Sequence, residues 1–478
     1  MSTVQYAGQF VIEKCELITS AGLTINLSSS ILEINIFEDI YSNALKGSIL
    51  CFDTNSLITN TQILGQDYLR LKITTPGFES NDHEKCLDFT DNVFSVYKIG
   101  ARNDASTNSE VFELSFMSPE ALTNLRKRVS KSLTGSPSEI FETLMKSDYS
   151  INTGKKLYVE QSSGVRKYVV PNVHPYQFIQ SLMEEAVSAD TQSPFYLFFE
   201  NTNGYHFRTL QSLYNQDTKA DFNVGDPGEL QDVGSKVKDI EKEFRTIIAD
   251  DANNNSDMLK NIVSGLLANK LRTVDIFNKE ITSKDHNYFD DYKKFDRIEG
   301  SDSGKDNPIY NDAPIEEDGS RISDYPDTNI HLIPYQVDKD TGGDPLHYNS
   351  QTESYSYTAP TDKDSVQFLK GKMVELATTL SRNIKVNGHT AIACGDTVNI
   401  SKPDSTAKDN GFLDELETGK YLITAARHIF STINNKHEIV MTCNKDSHPK
   451  AKKTDGSIVR EKSVPKGKVI VRGDEPKW

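Results

Sequence analysis

The sequence predicts a mainly β protein of the α+β class, and three features carry that prediction. Apolar and polar residues alternate with a period of two near both ends of the chain, across 9–118 and 381–446. Between them, the segment 129–220 changes to helical spacing. A further stretch, 284–360, is rich in Asp, Glu, Gly, Ser and Pro, yet tyrosines run through it. Alternation of this kind gives an extended chain one buried face and one wet face, so the runs read as short antiparallel strands.

In the first run Leu23, Ile25 and Leu27 alternate with Thr24, Asn26 and Ser28, and Leu32, Ile34 and Ile36 with Glu33 and Asn35. Leu69, Leu71 and Ile73 alternate with Arg70, Lys72 and Thr74, and Phe112, Leu114 and Phe116 with Glu113 and Ser115. Gly, Asn and Asp turns separate them, which predicts one barrel or sandwich. Ser118-Pro119-Glu120 offers an N-cap and a proline at the first helical position, placing a boundary near Arg128.

Ser136-Pro137-Ser138-Glu139 is a capping box ahead of Ile140, Phe141, Leu144 and Met145, so an amphipathic helix starts there. A strand is expected at Lys167–Val170. His174-Pro175 opens a second helix with Phe178, Ile179, Leu182, Met183 and Ala186 on one face. The run PFYLFFENTNGYHFRTL then predicts a hairpin turning at Asn203-Gly204. From 221 to 283 the pattern is mixed: 238–248 suits helix or strand, and NIVSGLLANKLRTVDIFNKEIT reads better as paired strands, with some helical period over 259–271.

In the stretch 284–360, Tyr288, Tyr292, Tyr310, Tyr325, Tyr335, Tyr348, Tyr355 and Tyr357 argue against a solvated linker. We expect an extended arm tied by tyrosines to a neighbouring protein, with a mobile loop as the alternative. A helix is expected from Asp362 to Leu380, with Val366, Leu369, Met373, Leu376 and Ala377 as its apolar stripe. The closing strands place Ile384 and Val386, then Val398 and Ile400, then Ile439, Met441 and Cys443 on buried faces. Asn387-Gly388, Gly395-Asp396 and Asn434-Asn435 are the turns. A basic tail, 447–478, ends in the sole tryptophan, Trp478, and its KGKVIVR run alternates like a strand.

The bulk figures narrow the class. A chain of 478 residues is long enough for three or four domains. Mean hydropathy is -0.53 and no run approaches the ~18 apolar residues of a membrane span, so no membrane insertion is expected. The start, MSTVQYAGQF, has neither a basic segment nor an apolar one, so no signal peptide and synthesis in the cytosol are expected. Cys15, Cys51, Cys86, Cys394 and Cys443 are scattered and form no C-x-x-C pair, which reads as buried thiols in a reducing compartment. A net charge of -16 argues against a nucleic-acid-binding surface; it suits both simple solubility and a channel wall that DNA passes without sticking.

No catalytic, cofactor-binding or metal residue is assigned, and no cofactor is expected. His437-Glu438 is followed by Ile-Val-Met, so it is no H-E-x-x-H, and Gly300-Ser301-Asp302-Ser303-Gly304 is no nucleophile elbow. Asp82-His83-Glu84-Lys85-Cys86 reads as a polar loop, since adjacent side chains on a regular element do not converge on one ion. His428 and His437 lie where they can meet across strands; a satisfied or exposed pair is the reading. Paired carboxylates of a glycosidase are invisible in so acidic a chain.

Two stretches carry a family resemblance. A strand, Gly395-Asp396, a strand, Gly419-Lys420-Tyr421-Leu422-Ile423, a strand with His428 and a closing strand ending in Lys445-Asp446 resemble the last barrel of the central baseplate hub of contractile phage tails, shared by the hub domains of type VI secretion spike proteins. The order Pro175, Phe178-Ile179-x-x-Leu182 helix, aromatic strand, turn, Tyr205-His206-Phe207-Arg208 is similar to the α+β domain that follows the first barrel in such hubs. The resemblance implies two similar tube-like antiparallel β-barrels plus an α+β domain and a long irregular insertion. It divides the chain into a first barrel (1–128), the α+β domain (129–220), a discontinuous second barrel (221–283 and 361–446), the acidic insertion (284–360) and the tail (447–478). It also implies a non-enzymatic virion protein of the tail baseplate, assembled in the host cytoplasm: a homotrimer contacting a spike protein, the tail tube or a tube-initiator protein, and neighbouring baseplate proteins. Genomic DNA would be passing cargo in its channel. The hub of a type VI-like or other contractile injection system is the near alternative; a tail-associated peptidoglycan hydrolase and a carbohydrate-binding tail-tip protein are the rivals from other classes.

Overall fold

The computed structural model describes residues 4–54, 57–61, 63, 65–76, 86–106, 109–225, 240–254, 257–275, 279–299, 308–310, 319–335, 344–349, 354–358, 380–403, 413–414 and 416–448. The expected 362–380 helix up to residue 379, the tail from 449 with Trp478, the Gly300–Gly304 run and residues 82–85 lie outside them. Of the described residues, 48% are strand and 17% helix.

The N-terminal group comprises β1 (Val11–Ile18), β2 (Thr24–Asn26), β3 (Ile31–Asp39), β4 (Lys46–Asp53), the short α1 (Leu57–Thr61), β5 (Tyr68–Thr74), β6 (Leu87–Ser106) and β7 (Ser109–Met117). The middle group comprises α2 (Pro119–Arg126), β8 (Ser132–Gly135), α3 (Pro137–Lys146), β9 (Leu157–Val159), β10 (Arg166–Val169), α4 (Pro175–Glu185), β11 (Tyr196–Asn201), β12 (Gly204–Thr209) and α5 (Leu210–Tyr214). Then follow β13 (Thr218–Asn223), α6 (Ile240–Arg245), β14 (Ile247–Asn254), α7 (Met258–Val263), β15 (Ala268–Asp275), β16 (Glu280–Asn287), α8 (Tyr288–Tyr292), β17 (Ile330–Tyr335), β18 (Asp344–Asn349) and β19 (Ser354–Thr358). The closing group is β20 (Leu380–Asn387), β21 (Thr397–Ser401), β22 (Gly419–Ser431) and β23 (Lys436–Lys445).

One 13-stranded sheet contains both end groups, in the order β14-β20-β23-β22-β3-β4-β7-β6-β5-β1-β2, with β21 on β22 and β13 on β21. The seam is β22 against β3, antiparallel from Ala425↔Asp39 to Ser431↔Glu33. The alternation works as predicted in most strands: Leu69, Leu71 and Ile73, and Ile439, Met441 and Cys443, are all fully buried. Two apolar cores line the sheet. Phe94, Phe112, Phe116, Leu69 and Leu71 fill the N-terminal one, to which Phe430 also belongs. Ile384, Val398, Ile400, Ile439 and Met441 fill the C-terminal one with Phe222 and Ile247. Two closed barrels were implied; among the described residues no pairing closes either half, and the β13–β21 pair is parallel.

The middle group has its own core of Phe141, Leu144, Ile179, Leu182, Tyr196, Phe198 and Phe207. Its helices start as the sequence indicates. Ser136 accepts from the backbone N–H of Glu139, and the Glu139 side chain returns to the Ser136 N–H. Ser118 occupies the N-cap of α2, yet its hydroxyl makes no cap bond and donates to Glu200 Oε1 at 2.8 Å. The hairpin turn falls at Thr202-Asn203, one residue before the expected Asn203-Gly204; Gly204 opens β12, and a Cβ there would sit 2.3 Å from the Lys156 carbonyl.

Two expectations are corrected and two ambiguities resolved. Leu23 is 54% exposed, since β2 is only three residues long and Leu23 precedes it. The 238–248 ambiguity resolves as both, α6 then β14. The 259–271 helical period is real in α7, and β15 and β16 pair with β17 in a separate three-stranded sheet; β14 is the strand that joins β20. The tyrosine-bearing stretch begins inside this chain: Tyr288 and Tyr292 are buried with Phe195, Leu213 and Phe295, and Tyr310 packs against them. An internal core gains the aromatic contact without the entropy loss of association.

Candidate assembly site

Buried charged and polar side chains that link one strand group to another are the first sites to consider, because such groups are costly to bury unless they are partnered. Glu38, near the end of β3, is 3% exposed. Its carboxylate accepts the backbone N–H of Thr202 at 3.1 Å and of Cys394 at 2.5 Å. One side chain thus ties the sheet seam to the β11–β12 turn and to the loop before β21. Burial pushes this carboxyl up to about 7, against the two N–H bonds that favour the anion.

Beside it, His428 on β22 and His437 on β23 are both fully buried, with His428 Nδ1 3.2 Å from His437 Nε2 and ring centroids 5.4 Å apart. His428 Nε2 lies 3.9 Å from Glu38 Oε1. Burial pulls the His428 imidazole down to about 3, and His437 is depressed for the same reason, with His428 adding to it. Phe430 stacks on His437 at 4.0 Å, and a Cβ at Gly388 would come within 2.6 Å of that ring. The two histidines do meet across the strands, as a fully buried pair and not an exposed one.

A second joint links the N-terminal group to the middle one. Lys155 Nζ is 2.7 Å from Glu120 Oε2 and 2.7 Å from Glu200 Oε1, with side chains 6%, 8% and 1% exposed. Glu200 also accepts from the Leu45 N–H at 2.8 Å, and Glu120 from Thr153 Oγ1 at 2.7 Å. Burial opposes the Lys155 charge, but the carboxylates of Glu200 and Glu120 outweigh it and raise its pKa. Glu200 is raised by burial, with Glu120 adding to it, because one ammonium faces two acids.

A third joint closes the far end. Arg297, 1% exposed, donates to Asp446 Oδ2 at 3.2 Å and to the Tyr292 carbonyl, so the start of the insertion is pinned to the end of β23. All five cysteines are buried, and burial drives the Cys15, Cys51, Cys394 and Cys443 thiols upward. Among the described residues no group of three or more His, Cys, Asp or Glu is placed to hold a metal, and no helix is long and apolar enough to cross a membrane. The residues of these joints carry no motif in the sequence: Glu120, Tyr292 and Asp446 stand out there only as parts of a helix start, a tyrosine-bearing stretch and a closing strand, and only the two histidines as a pair.

Neither a known protein family nor a curated protein matches the sequence. Among solved structures, a tail protein from Neisseria meningitidis MC58 is similar over 92% of this chain and 97% of its own, at a TM-score of 0.49 and 8% identity. The 43 kDa tail protein of prophage MuSo2 from Shewanella oneidensis is similar over 91% and 99%, again at 0.49 and 8%. Both of these neighbours are tail proteins. An Escherichia coli component of the type VI secretion system, described as resembling bacteriophage T4 tail proteins, is similar over 93% of this chain and 78% of its own, at 0.41 and 8%.

Proposed function

We propose that the chain is a structural virion protein, the central hub of a contractile-tail baseplate, which as a homotrimer joins a sixfold tail tube to a threefold spike. The observation that supports this best is one sheet carrying two cores, one over β1–β7 and one over β20–β23 with β13 and β14, fused at the β3–β22 seam. In this reading residues 1–128 and 221–283 with 361–446 are two tube-like units, and 129–220 is the α+β domain clamped to the first by Glu200. Three chains then fill six quasi-equivalent ring positions on the tube side while keeping threefold symmetry on the spike side. The work is done by sheet edges and side-chain contacts, without catalysis. The ring carries 3 × -16 = -48 formal charges, which suits a channel through which DNA slides. Tube protein, spike and neighbouring baseplate proteins are its partners in the virion.

Co-expression with candidate spike and tail-tube proteins, followed by gel filtration, tests this. A complex containing all three components is expected. A chain that elutes apart from both overturns the adaptor role, and clearing of a peptidoglycan zymogram by the purified chain would move the reading to a hydrolase.

A further inference from the structure

Among the described residues the large sheet has one long open edge. Strand β14 stands last in the strand order and pairs with β20, antiparallel from Ile247↔Val386 to Asn254↔Leu380. Beyond that pairing, a single bridge, Asn223↔Thr246, meets the chain just before the strand begins. Every residue across 248–252 is exposed. At Asp250 it is the main chain that meets solvent: the residue is exposed although its side chain, bonded to Arg382, is only 17% so. A row of open N–H and C=O groups is a template for a further strand.

The register fixes what each face of such a strand would extend. Asp250 and Ala252 stand opposite Ile384 and Arg382, which are 0% and 2% exposed, so they lie on the buried face. Ala249 and Asp251 stand opposite Lys385 and Asn383 on the wetter face. An added strand therefore needs aliphatic side chains at alternate positions and a cation between them to face Asp251. Lys468-Val469-Ile470-Val471-Arg472, outside the described residues, has that pattern: Val469 and Val471 fall on one side, Lys468, Ile470 and Arg472 on the other. Charge favours the match, since residues 449–478 hold nine Lys and Arg against four Asp and Glu in a chain of net charge -16.

The segment is also within reach. Lys445 at the end of β23 pairs with Leu380, and Leu380 with Asn254, so the chain leaves β23 two strand spacings, about 10 Å, from the end of β14. Both strands run toward that row, so a segment that turns back there lies antiparallel to β14. The 19 residues of 449–467 span up to about 60 Å when extended.

We propose that residues 468–472 of the same chain add as an antiparallel strand to the open edge of β14, with Val469 and Val471 over the buried face and a cation beside Asp251. The added strand closes the edge against pairing with other sheets. The inference does not rest on the hub reading.

Hydrogen exchange of the full chain, read by mass spectrometry on fragments covering 247–254 and 466–472, tests this. Pairing on one side leaves alternate amides of β14 unbonded, so an open edge exchanges about half of them at once. With the edge closed, nearly all should exchange at least tenfold more slowly, as should the amides of 468–472. Ile470→Pro removes a donor and should return the alternate β14 amides to fast exchange. Asp251→Lys, at an exposed position, should speed them several-fold with circular dichroism unchanged. Three results would each overturn the proposal: fast exchange of alternate β14 amides in the full chain, protection that survives Ile470→Pro, or protection that vanishes on dilution, which would assign the strand to another copy.

Discussion

Lys155→Met tests how the middle group is held to the sheet. The substitution keeps most of the side-chain volume and removes the charge, leaving Glu120 and Glu200 facing each other at 8% and 1% exposure. Removing one partner of a buried ionic group costs about 3–5 kcal/mol, since the remaining charge has no solvent to relieve it. The penalty depends on pH with a definite sign. Glu200 is already raised by burial, and without Lys155 its folded-state pKa rises further, so the folded variant binds the proton more tightly than the folded wild type. The deficit therefore shrinks as pH falls through the interval between those two folded-state values, by about 1.4 kcal/mol per unit within it. Lys155→Met with Glu200→Gln removes the surplus charge and should restore most of the loss at pH 7.5. Urea unfolding followed by far-UV circular dichroism at pH 7.5 and 5.5 measures both effects. A deficit below about 1 kcal/mol, or one indifferent to pH, would refute the reasoning.

The remaining predictions follow from the same buried groups. His428 has a folded pKa near 3 against 6.5 in the unfolded chain, so its contribution is complete above 6.5 and about 2 kcal/mol is lost on going from pH 7 to 5; His428→Phe should flatten that slope, and an unchanged slope would contradict the assignment. Glu38 behaves oppositely: its folded pKa near 7 means that stability is greatest below 4.5 and declines as pH rises through 7, and carbon-13 NMR of labelled glutamate should find one carboxyl titrating near neutrality rather than below 5. Gly47→Ala would put a Cβ 2.2 Å from Phe116 Cζ and 2.5 Å from the Asn35 carbonyl, so a loss of about 3 kcal/mol is expected in thermal or urea melts, while a neutral effect would mean the N-terminal core is looser than described.

Much of the fold is legible in the sequence because local rules govern it. The Ile439, Met441 and Cys443 alternation, the Ser136–Glu139 capping box and the helix opening at Pro175 are set by neighbours within a few residues, and the structure realises each. Ser118 shows where local reading stops: it has the right residue at the right place for a cap, but a buried acid in β11 claims its hydroxyl. The joints were unreadable for the same reason. Glu38 meets His428 only because β3 and β22, from opposite ends of the chain, lie side by side, and no spacing encodes a register between distant strands. Lys155, Glu120 and Glu200 look like surface charges in an acidic chain until the fold buries them. The stretch 257–287 misled because a six-residue helix and two strands share one apolar run, where periods of 3.6 and 2 overlap. Tyr288, Tyr292 and Tyr310 pack inside this chain where contacts to another protein are expected, while Tyr325 is exposed; aromatic richness indicates burial without saying against which chain.

The central claim is a ring of three chains, and the mass in solution tests it most directly. Light scattering after gel filtration of the purified chain, alone and with a candidate spike, should give a species near 3 × 53.6 kDa, about 161 kDa, plus the spike where it binds. A stable 53.6 kDa monomer that ignores the spike would contradict the hub.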